Sequence, residues 1–285
     1  MSRFYFSSFF VSQFLLFFLP VIGVTSFAEA EFIQLVTNSD VVVDAEKKSF
    51  KLKVRIENNG DESAKAVGLE LPEIGETRAV APTLAPGKSL EFETNVSFDA
   101  VGIEKAGLYT FPFRVLYRDA NAFPFSAAHL SQVELPPLPS RVLSATLEGG
   151  PAGAGIEIQK SLDVAFLVKN TSEKKLLVDK ASFFTSAEIV AHAGDGINFP
   201  IEIAPRGEIR VPVSLENVAS IPGSSYGSAF VVSGLVGDKH FSESTSLRVV
   251  VIPETRYQRK LLIGGLVALL ILVLLGRQFK SRERE

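Results

Sequence analysis

From Lys51 to Asn58 the chain alternates with a period of two: Leu52, Val54 and Ile56 are apolar, and Lys53, Arg55 and Glu57 between them are charged. Asn58-Asn59-Gly60-Asp61 then supplies turn chemistry. Leu90, Phe92, Thr94, Val96 and Phe98 repeat the pattern against Glu91, Glu93, Asn95 and Ser97, and Tyr109, Phe111, Phe113, Val115 and Tyr117 share one face of a third run. Successive side chains of a strand point to opposite faces, so each run predicts a strand with one buried side, as in antiparallel sheets. Pro112 falls on the opposite face of the third run and predicts an edge or a bulge there, because proline has no N–H to give to a ladder. No stretch between the two ends of the chain has the 3.6-residue period of a core helix.

The same order returns 112–119 residues later. Val54-Arg55-Ile56-Glu57-Asn58 is matched by Phe166-Leu167-Val168-Lys169-Asn170, and Leu84-Ala85-Pro86 by Ile203-Ala204-Pro205. Beyond each proline an alternating run follows at equal distance, Leu90, Phe92, Thr94 and Val96 against Ile209, Val211, Val213 and Leu215. Gly107-Leu108-Tyr109 leads into one long run as Ser225-Tyr226-Gly227 leads into Ala229–Val236. A repeat of that size is a β-sandwich and not a solenoid unit. The proline-rich stretch Leu135-Pro136-Pro137-Leu138-Pro139-Ser140 is a stiff linker between the two. The expected organisation is therefore a first Ig-like sandwich over 31–138 and a second over 139–252.

Composition changes the picture at the ends. Of 285 residues, 46% are hydrophobic, and eight of the 23 Phe fall within the first 30 positions. Met1–Ala30 reads as a secretory signal, with Arg3 ahead of an apolar region and Ala28-Glu29-Ala30 as a small-x-small cleavage site. An uncleaved N-terminal anchor is the alternative. At the other end 261–276 is 16 residues without a charge. As a helix it covers about 24 Å, and flanking Arg259, Lys260, Arg277 and Lys280 can snorkel toward the faces of a core about 30 Å thick. A single transmembrane helix is expected there, after a juxtamembrane segment at 253–260 and before a basic cytoplasmic tail at 277–285. The bulk of the chain then lies outside the cell membrane.

Charge and reactive residues exclude more than they assign. A net charge of −3 gives no sign of a nucleic-acid partner, and the absence of Cys rules out both a disulfide scaffold and a cysteine nucleophile. His129, His192 and His240 are spread over both repeats without a second ligand at metal spacing, and are expected as surface or loop histidines. Gly149-Gly150-Pro151-Ala152-Gly153-Ala154-Gly155 has no Lys-Ser/Thr after it and reads as a loop, not a phosphate cradle. Asp119-Ala120-Asn121 and Asp195-Gly196-Ile197-Asn198 offer oxygen ligands for Ca²⁺, though turns favour the same residues. The aromatic face Tyr109, Phe111, Phe113 and Tyr117 reads as core ahead of sugar platform, and Tyr109 as a tyrosine corner.

The order strand, Asn-rich turn, Leu-Ala-Pro-Gly, alternating strand, Gly-x-Tyr and a long strand ending Tyr117-Arg118-Asp119 resembles the Ig-like modules of bacterial and archaeal surface proteins. Among them are the cell-adhesion-related domain found in bacteria and the "NEW" domain of S-layer-like proteins. The second repeat departs, with Arg206 where the first has Gly87. Separately, Ile252-Pro253-Glu254-Thr255-Arg256 before the apolar run resembles a sortase sorting signal, with Ile252 and Arg256 replacing the usual Leu and Gly. The first resemblance implies an extracellular spacer, adhesion or assembly role and no reaction. The expectation is an all-β protein of two tandem Ig-like antiparallel sandwiches plus one C-terminal transmembrane helix, non-catalytic. No catalytic, cofactor or metal residue is assigned, and its partner is an envelope protein or, in the alternative reading of a carbohydrate-binding accessory module, a glycan.

Overall fold

The computed structural model describes residues 32–150, 155–253 and 264–267. Every apolar alternation named above sits in a strand, save that Phe98 falls in the turn just past the end of its run. The first repeat folds as β1 (Leu35–Asp44), β2 (Ser49–Asn58), β3 (Ala64–Leu71), β4 (Glu76–Leu84), β5 (Ser89–Ser97), β6 (Gly107–Arg118) and β7 (Pro124–Leu135). The second folds as β8 (Leu143–Leu147), β9 (Gly155–Ile158), β10 (Ser161–Asn170), β11 (Leu176–Phe184), β12 (Ile189–Ala193), β13 (Ile201–Ile203), β14 (Glu208–Asn217), β15 (Ser225–Val236) and β16 (Lys239–Val251). Sheet β1-β2-β5 covers sheet β4-β3-β6-β7 in the first sandwich, and β12-β14-β10-β8 covers β13-β11-β15-β16-β9 in the second.

Two separate cores follow from the alternation. Phe50, Leu52, Val54 and Ile56 of β2 meet Leu69 and Leu71 of β3 and Phe111, Phe113 and Val115 of β6, all at most 3% exposed. Phe50 and Phe111 make an edge-to-face contact at 5.2 Å. In the second core Phe166 of β10 stacks on Phe230 of β15 at 4.1 Å, among Val168, Leu176, Val211, Val213, Val232 and Val249. With no Cys in the chain, these interiors carry the stability. Pro112 pairs with β7 only, through Leu130, because the last β3 partner along β6 is Arg114.

The two most alike pieces of the repeats meet in space. Asn58 is fully buried at the end of β2, where its Nδ2 donates to the carbonyls of Glu62 at 2.7 Å and Leu84 at 3.0 Å and its Oδ1 accepts from the Gly60 N–H. Asn170 at the end of β10 does the same with Lys174 O, Ile203 O and Ala204 O, and its Oδ1 accepts from the Ser172 N–H. Each asparagine thus clasps the Leu-Ala-Pro or Ile-Ala-Pro segment of its own repeat. Gly87 and Arg206 both take left-handed φ, 68° and 60°, after those prolines. Arg206 is held there with its guanidinium on Glu173.

The repeats diverge where the third strand ends. In the first, β4 turns back at once and pairs along β3. In the second, Thr185–Glu188 cross to the other sheet, where β12 pairs β14, before β13 returns to β11. The glycine-rich stretch of the second repeat has a similar task. It joins β8, which pairs β10, to β9, which runs parallel to β16 in the opposite sheet; 151–154 lie outside the described residues.

The sandwiches lie alongside each other in inverted orientation. β6 and β16 form one parallel pair, Gly107 with His240, and the ends of β6 and β16 both run away from it. Asn59 N–H donates to Gln34 O where the chain reaches β1, and Val251 N–H donates to Ser224 O where it leaves β16. Both of these points lie at the end away from the Gly107–His240 pair, and the linker lies at the other.

The expected signal 1–30, the tail 277–285 and the juxtamembrane residues after Pro253 lie outside the described residues. So does the run 261–276, except Gly264–Val267, which are helical with Leu266 and Val267 exposed. Among the described residues no helix is long and apolar enough to cross a membrane.

Candidate functional site

The polar groups of the molecule with the most developed surroundings lie where the sandwiches meet. A chain crossing from one sheet to the other leaves backbone groups that no ladder can satisfy. Thr185–Glu188 is such a crossing, and the first sandwich supplies the missing partners. Arg114 of β6 donates from Nε to Thr185 O at 2.7 Å and from Nη1 to Glu70 at 3.0 Å, with its guanidinium 4.7 Å from the Phe184 ring centre. Ser126 of β7 accepts from the Ala187 N–H at 2.7 Å and donates to Glu188 Oε2 at 2.8 Å. Thr185, Glu188, Ser126 and Ser228 are all buried, and Ser228 Oγ donates to Thr185 Oγ1 at 2.8 Å.

At the far end of the joint the two backbones touch. His240 N–H donates to Ala106 O at 2.9 Å, its Nδ1 lies 2.7 Å from Leu108 O, and its ring stacks flat on Tyr109 with centroids 3.8 Å apart and planes at 2°. Nδ1 therefore carries the proton, since a carbonyl can only accept. Tyr109 is fixed in turn by its hydroxyl, which donates to Lys105 O at 2.9 Å and accepts from Lys105 N–H at 3.2 Å, the bonding of a tyrosine corner. Ser242 Oγ donates to Thr110 Oγ1 at 2.7 Å between the two ends. Lys180 and Glu73 pair across the joint at 3.2 Å, but both are well exposed and add little to stability.

Two cavities flank this seam. One of about 270 Å³ lies between the Val101–Ile103 turn, Pro112 and Phe183; the other, of about 410 Å³, is lined by Thr110, Leu130, Gln132, Ser244 and Ser246. Thr110 and Phe184 border both, so they form the partition.

His192 is exposed on β12, as expected of a surface histidine, but His129 and His240 are not where the sequence predicts them. His129 is on β7 and His240 on β16, neither in a loop, and both are half-buried. His129 stacks on Phe113 at 5.4 Å, its Nε2 is buried without a hydrogen bond, and burial pushes its pKa from the usual 6.5 down to about 4. Burial also lowers His240, with the Lys105 charge acting in the same direction, against the Leu108 carbonyl and Asp179, which favour its charged form. Tyr117 is pushed up to about 12, by burial first and then by Glu188 and Tyr226.

A histidine whose folded pKa is depressed binds fewer protons than the unfolded chain between the two values, so stability falls as the pH drops from 6.5 toward 4. For His129 the full loss is on the order of 3 kcal/mol. His129→Phe keeps an aromatic partner for Phe113 and removes the titration. We expect its acid-unfolding midpoint, followed by circular dichroism, to move to lower pH; an unchanged midpoint would refute this assignment.

Of the candidate Ca²⁺ ligands, Asp119 instead accepts from the Phe123 N–H at 2.8 Å and closes the β6–β7 turn. Among the described residues no group of three His, Asp or Glu side chains is arranged to hold a metal. Of the aromatic face, Phe111 and Phe113 are core and Tyr109 belongs to the joint. Ile252 N–H is tied to Ile158 O at 2.9 Å, while residues 254–256 of the sorting-signal resemblance lie outside the described residues.

No known family model matches the chain, and no curated protein matches it. Among solved structures it is similar to a protein of unknown function from Porphyromonas gingivalis at 9% identity and TM-score 0.30, covering 76% of this chain and 99% of that one. It is similar to the YadV chaperone at 13% and 0.31, covering 75% and 99%, and to Escherichia coli alpha-2-macroglobulin at 10% and 0.29, covering 79% and 22%. Likenesses this distant bear on no functional question. What stands on its own is the architecture: a mostly β protein, its described residues forming two sandwiches locked along a polar seam.

Proposed function

We propose that this is a non-catalytic envelope protein, anchored by a C-terminal helix at 261–276, whose paired Ig-like sandwiches act outside the membrane by protein–protein contact, adhesion or scaffolding. One observation carries the non-catalytic part. The groups that chemistry would use at the seam, Arg114, Ser126, Glu188 and His240, are each engaged in joining one sandwich to the other. A nucleophile or general base needs a free partner facing substrate; Ser126 and Glu188 are spent on each other, and Arg114 and His240, which border the smaller cavity, each already hold a main-chain carbonyl across the joint. Anchoring is supported by the leading Phe-rich segment with its Ala28-Glu29-Ala30 site and by the uncharged run 261–276. The Ig-like surface-module resemblance belongs to the same reading.

A carbohydrate-recognising module is the second reading. The larger cavity favours it, because Thr110, Gln132, Ser244 and Ser246 give it neutral hydroxyl and amide groups beside Phe184.

Protease added to intact cells expressing the full chain with a C-terminal tag tests the anchored reading. The mass N-terminal to the run should be degraded, leaving a small tagged fragment in the membrane fraction. Full protection, or release of the tagged chain by alkaline carbonate, would overturn it. Crosslinking in intact membranes against a glycan array then separates the two readings: a protein adduct without sugar binding supports the first.

A further inference from the structure

We infer that the end of the paired sandwiches from which the chain leaves β16 is itself a lipid-contacting surface, seated at the headgroup level of the bilayer through the apolar tips of two loops. The inference rests on the membrane-anchored reading and adds a contact that an anchor alone does not require.

The chain's path selects the surface. Gly223 N–H donates to Val251 O at 2.6 Å and Val251 N–H to Ser224 O at 2.9 Å, so the loop after β14 lies against the last residues of β16. From Pro253, seven residues precede the apolar run at Leu261. Fully extended they reach no more than about 30 Å. A tether of that length keeps the loop at this exit within reach of the bilayer surface.

Its chemistry suits that place. Val218 is 53% exposed and Ile221 38%, and from Asn217 to Gly237 the chain has no charged residue. The first sandwich contributes a second tip at the same end. β6 runs parallel to β16, and Ser126, next to the β6–β7 turn, is bonded to Glu188, whose carbonyl accepts from the N–H groups of Val218 and Ala219. Phe123 in that turn is 36% exposed. Of the large apolar side chains exposed on the sandwiches and linker, Val36, Phe123, Val190, Val218 and Ile221 belong to this half and only Val42 and Leu138 to the other.

The opposite end is built for water. Its turns carry Glu46, Lys47 and Lys48, Glu104 and Lys105, Glu173, Lys174 and Lys175, and Asp238. The turn Asn59–Glu62, Lys88, Lys160 beside Asn217, and Asp119 at the start of the β6–β7 turn put charge on the exit end as well, which confines the lipid contact to the 218–222 and 120–123 tips. Shallow insertion of a few apolar side chains at the interface, with basic Arg256, Arg259 and Lys260 close by in sequence, is a recurrent way for a protein to rest on anionic lipid.

The chain has no cysteine, so a single introduced one can be labelled alone. Full-length Val218→Cys, Ile221→Cys and Phe123→Cys, with Lys47→Cys at the opposite end, would carry an environment-sensitive fluorophore. Each is reconstituted into phosphatidylcholine–phosphatidylglycerol vesicles containing lipids spin-labelled near the headgroup. Labels at 218, 221 and 123 should lose most of their emission to the lipid quencher, and the label at 47 should keep its own. If the protein floats with the vesicles but the three labels are not lipid-quenched, the inference is overturned and the anchor stands. If those labels are instead shielded from aqueous iodide as well, a protein covers this end, and the inference is equally overturned. Failure to float removes the anchored reading and the inference with it.

Discussion

Gly107→Ala should part the two sandwiches while leaving each folded. Gly107 has φ of +147°, and a Cβ there would lie 2.1 Å from His240 O and 2.8 Å from His240 N and C. These are backbone atoms in a strand fixed along its length by β15, so they cannot swing aside as a side-chain tip would. The methyl must push β6 away from β16, breaking His240 N–H to Ala106 O and unstacking Tyr109. Strain of the backbone together with overpacking amounts to about 2–5 kcal/mol. Its effect should be local: faster hydrogen exchange at Ala106–Leu108 and His240, new protease cuts in the linker, and two melting steps where one is expected of the parent. No substitution of the His240 side chain should restore the parent, because the clash is with its main chain. A single parental melt and unchanged exchange in Gly107→Ala would show that the joint does not depend on this approach.

Asn58→Ala and Asn170→Ala should each destabilise their own sandwich by about 2–4 kcal/mol. Removing the amide strands carbonyls and an N–H in the interior, and each buried polar group left without a partner costs about 1–3 kcal/mol. Losses of that size lower the melting temperature by about 10 °C in domains of this length. Asn170 holds one more carbonyl than Asn58, so its variant should fall further. Asn→Asp should be no milder at either site, since it keeps the acceptor, deletes the donor and buries a charge. Calorimetry of the full chain reads these outcomes. A loss below about 0.5 kcal/mol would mean the freed groups find other partners.

The asparagines also show how far local pattern reaches. Both stand at the end of an alternating run, and both Leu-Ala-Pro and Ile-Ala-Pro stand a fixed distance on, so the duplication is visible from residues alone. That these two echoes are donor and acceptor of one bond is not visible, because the stretch between them, which holds further strands, is 25 residues long in one repeat and 32 in the other. His129 and His240 were misplaced for a related reason. A polar residue within or beside an alternating run looks solvent-facing, and only the second layer laid over it buries it. Ser126 and Arg114 carried no signal of their role, since each reaches a backbone atom of the crossing, Ala187 N–H and Thr185 O, which is the same in every residue type, and the Glu188 carboxylate that also holds Ser126 is 62 residues away.

Strand identity, the doubled plan and the turn at each asparagine are short-range matters: side chains one or two positions apart choose a face, and proline or glycine breaks the run. How the halves meet obeys no such period. It depended on a crossing at Thr185–Glu188 that exposed unmatched amide groups, and on a glycine small enough to admit a histidine backbone from 133 residues away. Contacts of that kind are complementarity between surfaces, which exist only after each half has folded.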